Sequence, residues 1–303
     1  MECAASLVIN KINVTMVFPE SHCMARLFTD KIASHYEEFY SSKGVAFVKG
    51  TVLSSFEFGF DGNVTAVNLR DGKRLAADMV VVGIGIRPAT ELFEGQLVME
   101  KGGIRVNGRM QTSNSSVYAV GDVAASPVKL FGEMRRLEHV DFARKSAMHA
   151  VSALMNPSKG DDFDYLPFFY SRVFTLSWQF YGDNEGEVVH FGDYSKLGTI
   201  GAYWVSSGCV VGSFLEGGTK EEYEAIAKVA RVRPKVHDLE HLQREGLGFA
   251  FRVCSNQELG CDVSVGVLGF QRPIYAWHAA ACVLVAASVA SYAYWYGSRR
   301  RRW

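Results

Sequence analysis

Ser116-Val117-Tyr118-Ala119-Val120-Gly121-Asp122-Val123-Ala124 is the stretch on which the fold turns. A short β-rich run, Val117–Val120, stops at Gly121 and presents Asp122 just past its end, where open α/β sheets bind their ligands. Gly121 permits close backbone approach, and a carboxylate at 122 can accept a sugar-chain hydroxyl in a bond worth roughly 1.5–3 kcal/mol. A plain Gly-Asp turn closing a strand accounts for the two residues as well. The flanking sequence decides between these readings.

Upstream, Met1–Ile9 has the pattern of the later part of a helix with no start signal, and Asn13–Phe18 is a β-branched strand ended by Pro19-Glu20. From Cys23 to Tyr40 the apolar set Met24, Leu27, Phe28, Ile32, Tyr36, Phe39 and Tyr40 follows i, i+3, i+4 spacing, which predicts an amphipathic helix. Val45–Val48 is the next strand, so strand, helix and strand alternate as in a parallel sheet. Val52–Leu69 reads as a hairpin with an Asp61-Gly62 turn, and a second turn follows at Asp71-Gly72. Met79–Ile84 is a continuous apolar run, the pattern of a strand covered on both faces. It leads into Gly83-Ile84-Gly85-Ile86-Arg87-Pro88, whose glycines suit a cofactor approaching closely or simply tight packing.

Downstream, Glu138–Leu154 has a helical period with Val140, Ala147, Val151 and Leu154 on one face, where Arg144 calls for a partner. Phe163–Gly212 is rich in aromatics and short strands and reads as an antiparallel sheet. Two helices, Lys220–Val232 and Val236–Arg244, follow it, with Gly246 as a stop. Together they make a small α+β domain over about Leu166–Phe251.

At 303 residues the chain has room for about two domains, and 32 basic against 32 acidic residues give no argument for nucleic acid. The uncharged run Pro273–Ser298, with Arg299–Arg302 directly behind it, is different. As a helix it reaches about 39 Å against a hydrocarbon core of roughly 30 Å, and aromatics flank both ends, so it is a candidate membrane span; a buried soluble helix is the alternative. The six cysteines include no Cys-x-x-Cys pair, so neither a dithiol redox centre nor a zinc site is expected, and thiols kept reduced inside a cell fit best. No cleavable signal opens the chain.

With these residues laid out, the sequence resembles the plant monodehydroascorbate reductases. Carrying the resemblance over about Met1–Phe251 are Met-Glu-Cys-Ala-Ala at 1–5, Pro19-Glu20 with Cys23-Met24 and Arg26-Leu27-Phe28-Thr29, and Gly-Ile-Gly-Ile-Arg-Pro at 83–88. Tyr-Ala-Val-Gly-Asp-Val-Ala at 118–124, Glu138-His139-Val140-Asp141 with Ala143-Arg144-Lys145-Ser146-Ala147, and Phe169-Tyr170-Ser171-Arg172 with Trp178-Gln179-Phe180-Tyr181-Gly182-Asp183 complete it. The tail is similar to that of the peroxisomal membrane form. The resemblance implies an α/β fold: an incomplete two-dinucleotide-binding-domain flavoprotein reductase with a C-terminal α+β domain and one transmembrane helix. Its parts are a partial NAD-binding domain (1–82), a partial FAD-binding domain (83–156), the α+β domain (157–252), a linker (253–271), the membrane helix (272–298) and a basic tail (299–303).

The same resemblance implies FAD and NADH as cofactors and two molecules of monodehydroascorbate radical reduced to ascorbate. It makes Asp122, Val140 and Tyr170 flavin contacts and Glu2, Glu20, Arg26, Gly85, Glu138 and His139 contacts of the nicotinamide dinucleotide. Arg144 and Tyr170 become the substrate pair, and no metal is implied. The chemistry agrees: a carboxylate at 20 favours NADH by repelling a 2′-phosphate, and an anionic planar radical suits a guanidinium and a phenol. A helix beginning at 138 would present free N–H groups to the flavin's pyrimidine edge.

Two small departures stand out. Phe142 occupies a position where the family usually has histidine, and Ser21-His22-Cys23 replaces Pro-Trp-Cys. A larger one is that no Gly-x-Gly-x-x-Gly occurs anywhere, and the family's first dinucleotide-binding half has no counterpart before Met1. The sequence therefore reads as N-terminally shortened, and the chain alone is expected to bind FAD poorly or not at all. Other readings are a non-catalytic membrane-tethered fragment and a related flavoprotein reductase of an iron–sulfur carrier.

Overall fold

The computed structural model describes residues 1–156 and 161–255. The linker from 256 onward, the membrane-span residues 272–298 and the tail 299–303 lie outside them. Among the described residues no helix is long and apolar enough to cross a membrane.

Helix α1 (Glu2–Ile9) leads to strand β1 (Val14–Phe18), which pairs in parallel with β2 (Val45–Lys49), Val14 opposite Val45 and Phe18 opposite Lys49. The crossover helix α2 runs Asp30–Ser42, shorter than the expected Cys23–Tyr40. Met24 takes a left-handed φ of 55°, which an α-helix cannot continue through, and the helix starts where Thr29 Oγ1 accepts the Ile32 N–H. Cys23 and Phe28 are buried nonetheless, in a turn, which is why the apolar spacing ran on past the true start. From α2, Ile32, Tyr36, Phe39 and Tyr40 join Trp178, Phe180, Trp204 and Phe214 of the C-terminal sheet in one core.

Thr29 also ties α2 to that sheet, since its hydroxyl lies 2.8 Å from His190 Nε2. Burial, and secondarily Lys31, lower the His190 pKa from 6.5 to about 4. A depressed histidine contributes stability above its unfolded value and loses it as pH falls toward the folded one. Thermal unfolding followed between pH 6.5 and 4 is therefore expected to fall steeply in the wild type, and less steeply in His190→Gln; parallel curves would exclude His190 as a cause.

Strands β3 (Leu53–Phe58), β4 (Val64–Leu69) and β5 (Arg74–Ala76) form an antiparallel sheet with the two expected turns. The Met79–Ile84 strand is not found. Met79, Val81, Val82 and Ile84 are exposed, because an apolar run becomes a central strand only when neighbours pair with it and cover it, and no described strand does so.

The next sheet has the order β6 (Met99–Glu100), β7 (Gly103–Arg105), β8 (Ala124–Val128), β9 (Glu133–Arg136). Val117–Val120 is likewise no strand; it makes an isolated bridge, Tyr118 to Gln111, before a 3-10 turn at Gly121–Val123. Helix α3 (Val140–Met155) buries Phe142, Ser146, Ala150 and Ala153, while Val140, Val151 and Leu154, which share the apolar face singled out in the sequence, are exposed. Both faces of α3 are apolar, so periodicity could not tell which one packs inward.

The C-terminal sheet is antiparallel as expected, in the order β10 (Phe168–Val173), β11 (Leu176–Gly182), β14 (Cys209–Glu216), β13 (Ile200–Ser206), β12 (Glu187–Gly192). Covering it are α4 (Lys220–Val232), begun by a Thr219–Glu222 capping box, α5 (Leu239–Glu245), ended at Gly246, and α6 (Leu247–Ser255).

Candidate functional site

The turn bearing Asp122 is fixed against α3. Gly121 adopts φ 68°, its N–H donates to Ser146 Oγ at 3.0 Å, and a Cβ there would sit 3.3 Å from that of Ala143. Asp122 is left half-buried at the start of the helix.

Helix α3 begins at Val140, with His139 as its cap, so Glu138 precedes the helix instead of opening it. His139 Nδ1 accepts the Asp141 N–H at 3.2 Å. That bond assigns the neutral ring's proton to Nε2. Burial lowers the His139 pKa against the opposing pull of the Asp141, Glu2 and Asp122 carboxylates, which favours the neutral form. The imidazole stands edge-on to Tyr170, Phe169 and Phe168, with ring centres at 5.1, 5.5 and 6.1 Å. Glu2, from the far end of the chain, accepts a hydrogen bond from Ser171 Oγ, one residue beyond Tyr170.

Glu2, Asp122, His139 and Tyr170, which the family resemblance assigns to cofactor contacts, thus gather at one helix entrance. It is open: Val140 is 44% and Tyr170 42% exposed. The free N–H groups of the first turn of α3 favour negative charge there. Arg144, one turn into α3 from Val140, is exposed and forms no ion pair among the described residues.

Glu20, Arg26 and Gly85 stand apart, and no hydrogen bond or ion pair among the described residues joins them to this group. Glu20 is exposed on the loop after β1. The buried Glu37 carboxylate holds that loop by accepting the Cys23 N–H at 2.7 Å while pairing with Lys49. The Arg26 carbonyl accepts a bond from Asn184 Nδ2 at 2.6 Å, and its side chain is in solvent. Gly85 is exposed at φ 98°, a conformation that glycine alone adopts without strain. The two departures are absorbed locally. Phe142 is fully buried against Phe163 and Tyr165, and His22 pairs with Asp30. Among the described residues no group of His, Cys, Asp and Glu could hold a metal ion.

Reading residue by residue missed Arg136. Its Nη1 donates to the Asp122 carbonyl at 3.1 Å and lies 2.5 Å from Glu138 Oε1. An arginine doublet at a strand end gave no hint of this, since its neighbour Arg135 turns away to Glu133 and Asp183.

Residues 1–149 match the family model described as pyridine nucleotide-disulphide oxidoreductase, and residues 166–250 the one described as monodehydroascorbate reductase 3-like, C-terminal domain. The chain is 68% identical to "Monodehydroascorbate reductase 4, peroxisomal" of Arabidopsis thaliana, covering 100% of this chain and 64% of that protein. It is 63% identical to "Monodehydroascorbate reductase 2, peroxisomal" of Oryza sativa subsp. japonica, covering 100% and 63%. The chain spans less than two thirds of the length of these relatives. Among solved structures it is similar to the ferredoxin reductase for the CYP199A2 system of Rhodopseudomonas palustris, with TM-score 0.73 and 26% identity, over 82% of this chain and 61% of that one. The α/β sheets are thus those of the pyridine nucleotide-disulphide oxidoreductase fold, and over its whole length the chain has high identity to peroxisomal monodehydroascorbate reductases.

Proposed function

We propose that this chain belongs with the monodehydroascorbate reductases in function as in sequence, and carries the ring-side half of an FAD-dependent, NADH-using site that reduces monodehydroascorbate radical to ascorbate. The observation that supports this best is the meeting of Asp122, the neutral His139 cap and Tyr170 at the open entrance of α3. The residues suit a flavin: Gly121 lets it come close, Asp122 would accept its ribitol hydroxyls, and Val140 and the first-turn N–H groups of α3 would face its pyrimidine edge. Bound there, the cofactor would take a hydride from NADH and release electrons singly, so that two radicals are reduced for each NADH.

Around it the protein binds and orients. Glu20 would hold the adenosine ribose of NADH and repel a 2′-phosphate, while Arg26, Gly85, Glu2, Glu138 and His139 complete the dinucleotide contacts. Arg144 and Tyr170 would grip the anionic radical, the first by a bidentate charge-assisted fork and the second by a phenol hydrogen bond beside the ring. The neutral His139 adds no competing positive charge and can donate from Nε2. The sequence has no Gly-x-Gly-x-x-Gly, the pattern that brings a dinucleotide pyrophosphate to a helix N-terminus.

With FAD in excess, the full chain is expected to oxidise NADH only while the radical is generated enzymatically. No radical-dependent oxidation by a folded sample would overturn the reading, and activity toward ferredoxin alone would transfer it to an iron–sulfur carrier.

The apolar residues 273–298 and the four arginines behind them would anchor the chain to a membrane, the peroxisomal one by analogy with the named relatives. The 303-residue chain in a membrane pellet is expected to resist a carbonate wash. Release into the supernatant would refute the anchor.

A further inference from the structure

We propose that Arg136 is the positioning residue that sets the separation between the Asp122 turn and the entrance of α3. The inference deepens the proposed function, because the two segments that Arg136 joins are those assigned to the flavin. At the end of β9, Arg136 pairs with Ala125 of β8, and its side chain is 17% exposed. Its guanidinium reaches three separate stretches. Nε donates to the Lys101 carbonyl at 3.3 Å, between β6 and β7. Nη1 donates to the Asp122 carbonyl at 3.1 Å and faces Glu138 Oε1 at 2.5 Å.

A planar fork with donors in fixed directions holds those stretches at one spacing, which a flexible ammonium cannot do. Gly103 makes room for it. A Cβ at that position would meet Val123 O at 2.6 Å and Arg136 Cδ at 2.8 Å, so the arginine stem lies where a side chain on β7 would otherwise be. Gly103 takes no left-handed φ, so close approach alone accounts for the glycine.

Charge gives the contact a second role. Carboxylates crowd this entrance: Asp122, Asp141 and Glu2 all act on His139, and Glu138 stands immediately before the cap. Arg136 is the cation paired with Glu138, and Arg135 cannot replace it, being engaged with Glu133 and Asp183 and lying over Phe131. Without Arg136, Glu138 would leave an uncompensated negative charge at the place proposed to receive an anionic radical and a ring that becomes anionic on reduction.

Hydrogen exchange on the 303-residue chain tests the geometry without any cofactor. Arg136→Gln is expected to raise exchange together at the hydrogen-bonded amides of Gly121 and Ala124 in the turn and of Asp141 and Ala143 at the helix entrance, about tenfold or more, leaving β10–β14 unchanged. Arg136→Lys, which can keep the ion pair but not the fork, is expected to loosen 121–124 alone. Glu138→Gln should leave 121–124 protected, since the bond to the Asp122 carbonyl remains. If Arg136→Gln leaves either segment at its wild-type rate, the positioning role is overturned.

The charge role has its own measurement, riboflavin affinity by fluorescence quenching. Arg136→Gln is expected to weaken binding about tenfold, and adding Glu138→Gln to that variant should restore at least half of the loss on a logarithmic scale. A purely structural arginine would show no such rescue, and its absence overturns the compensation of charge. If the wild type binds no flavin, the proposed function fails and the charge role with it, while the exchange result still decides the positioning role.

Discussion

Asp122→Ala is expected to weaken flavin binding by tenfold to a hundredfold. Asp122 is the one carboxylate on the turn that Gly121 holds against α3, so nothing on that turn can replace it. Losing a hydrogen bond to a charged acceptor costs roughly 1.5–3 kcal/mol, about one to two orders of magnitude in affinity. Asp122→Asn keeps an oxygen acceptor and should lose less. Protein-induced quenching of riboflavin fluorescence reads both variants, and equal affinity in wild type and Asp122→Ala would remove Asp122 from the site. The backbone is not expected to suffer, because the turn is held by the Gly121 N–H and by the Asp122 carbonyl, neither of which the substitution touches.

The second large effect is expected at Arg144. With FAD in excess, Arg144→Ala should raise KM for the radical by about ten- to a hundredfold, the range of one lost charge-assisted contact, and leave the NADH dependence unchanged. Its exposure and the lack of an ion pair among the described residues make the substitution nearly free of structural cost, so the change reports on substrate. Arg144→Lys should recover only part, since an ammonium cannot form the bidentate fork. An unchanged KM would take Arg144 out of the substrate site.

How far these residues were legible in the sequence depends on how local their signals are. The C-terminal sheet was clear because burial in β11 alternates, with Leu176, Trp178 and Phe180 inside, and the capping pair Thr219 and Glu222 marks the start of α4 without ambiguity. Asp122 could be found for a similar reason, since a Gly-Asp turn is a short-range feature, whereas His139 reads locally as a plain helix-start histidine and enters the site only through the family resemblance. That Tyr170 and Glu2 stand beside them could not be read locally. The packing of α1 and α3 against β10 brings them together, and only the family resemblance anticipated it.

The errors have physical causes as well. Helix α2 was drawn seven residues too early because apolar spacing records burial, and Cys23 and Phe28 are buried in a turn. The inward face of α3 was misassigned because Val140, Val151 and Leu154 form an apolar stripe as regular as the one made by Phe142, Ala150 and Ala153. Met79–Ile84 has the composition of a central strand, but composition cannot supply the partners that make it one. Arg136 left no trace because its role lies in three hydrogen-bonding directions, none of them encoded by its immediate neighbours.

The central claim is that this chain grips the ring and ribitol of a flavin at Asp122 and α3, in a sequence that contains no Gly-x-Gly-x-x-Gly. Comparing the affinities of riboflavin and FAD for the 303-residue chain tests it most directly. The account predicts weak binding of both, within about tenfold of each other, which corresponds to no more than about 1.4 kcal/mol from the nucleotide half. Binding of neither, or FAD held stoichiometrically while riboflavin is ignored, would contradict it.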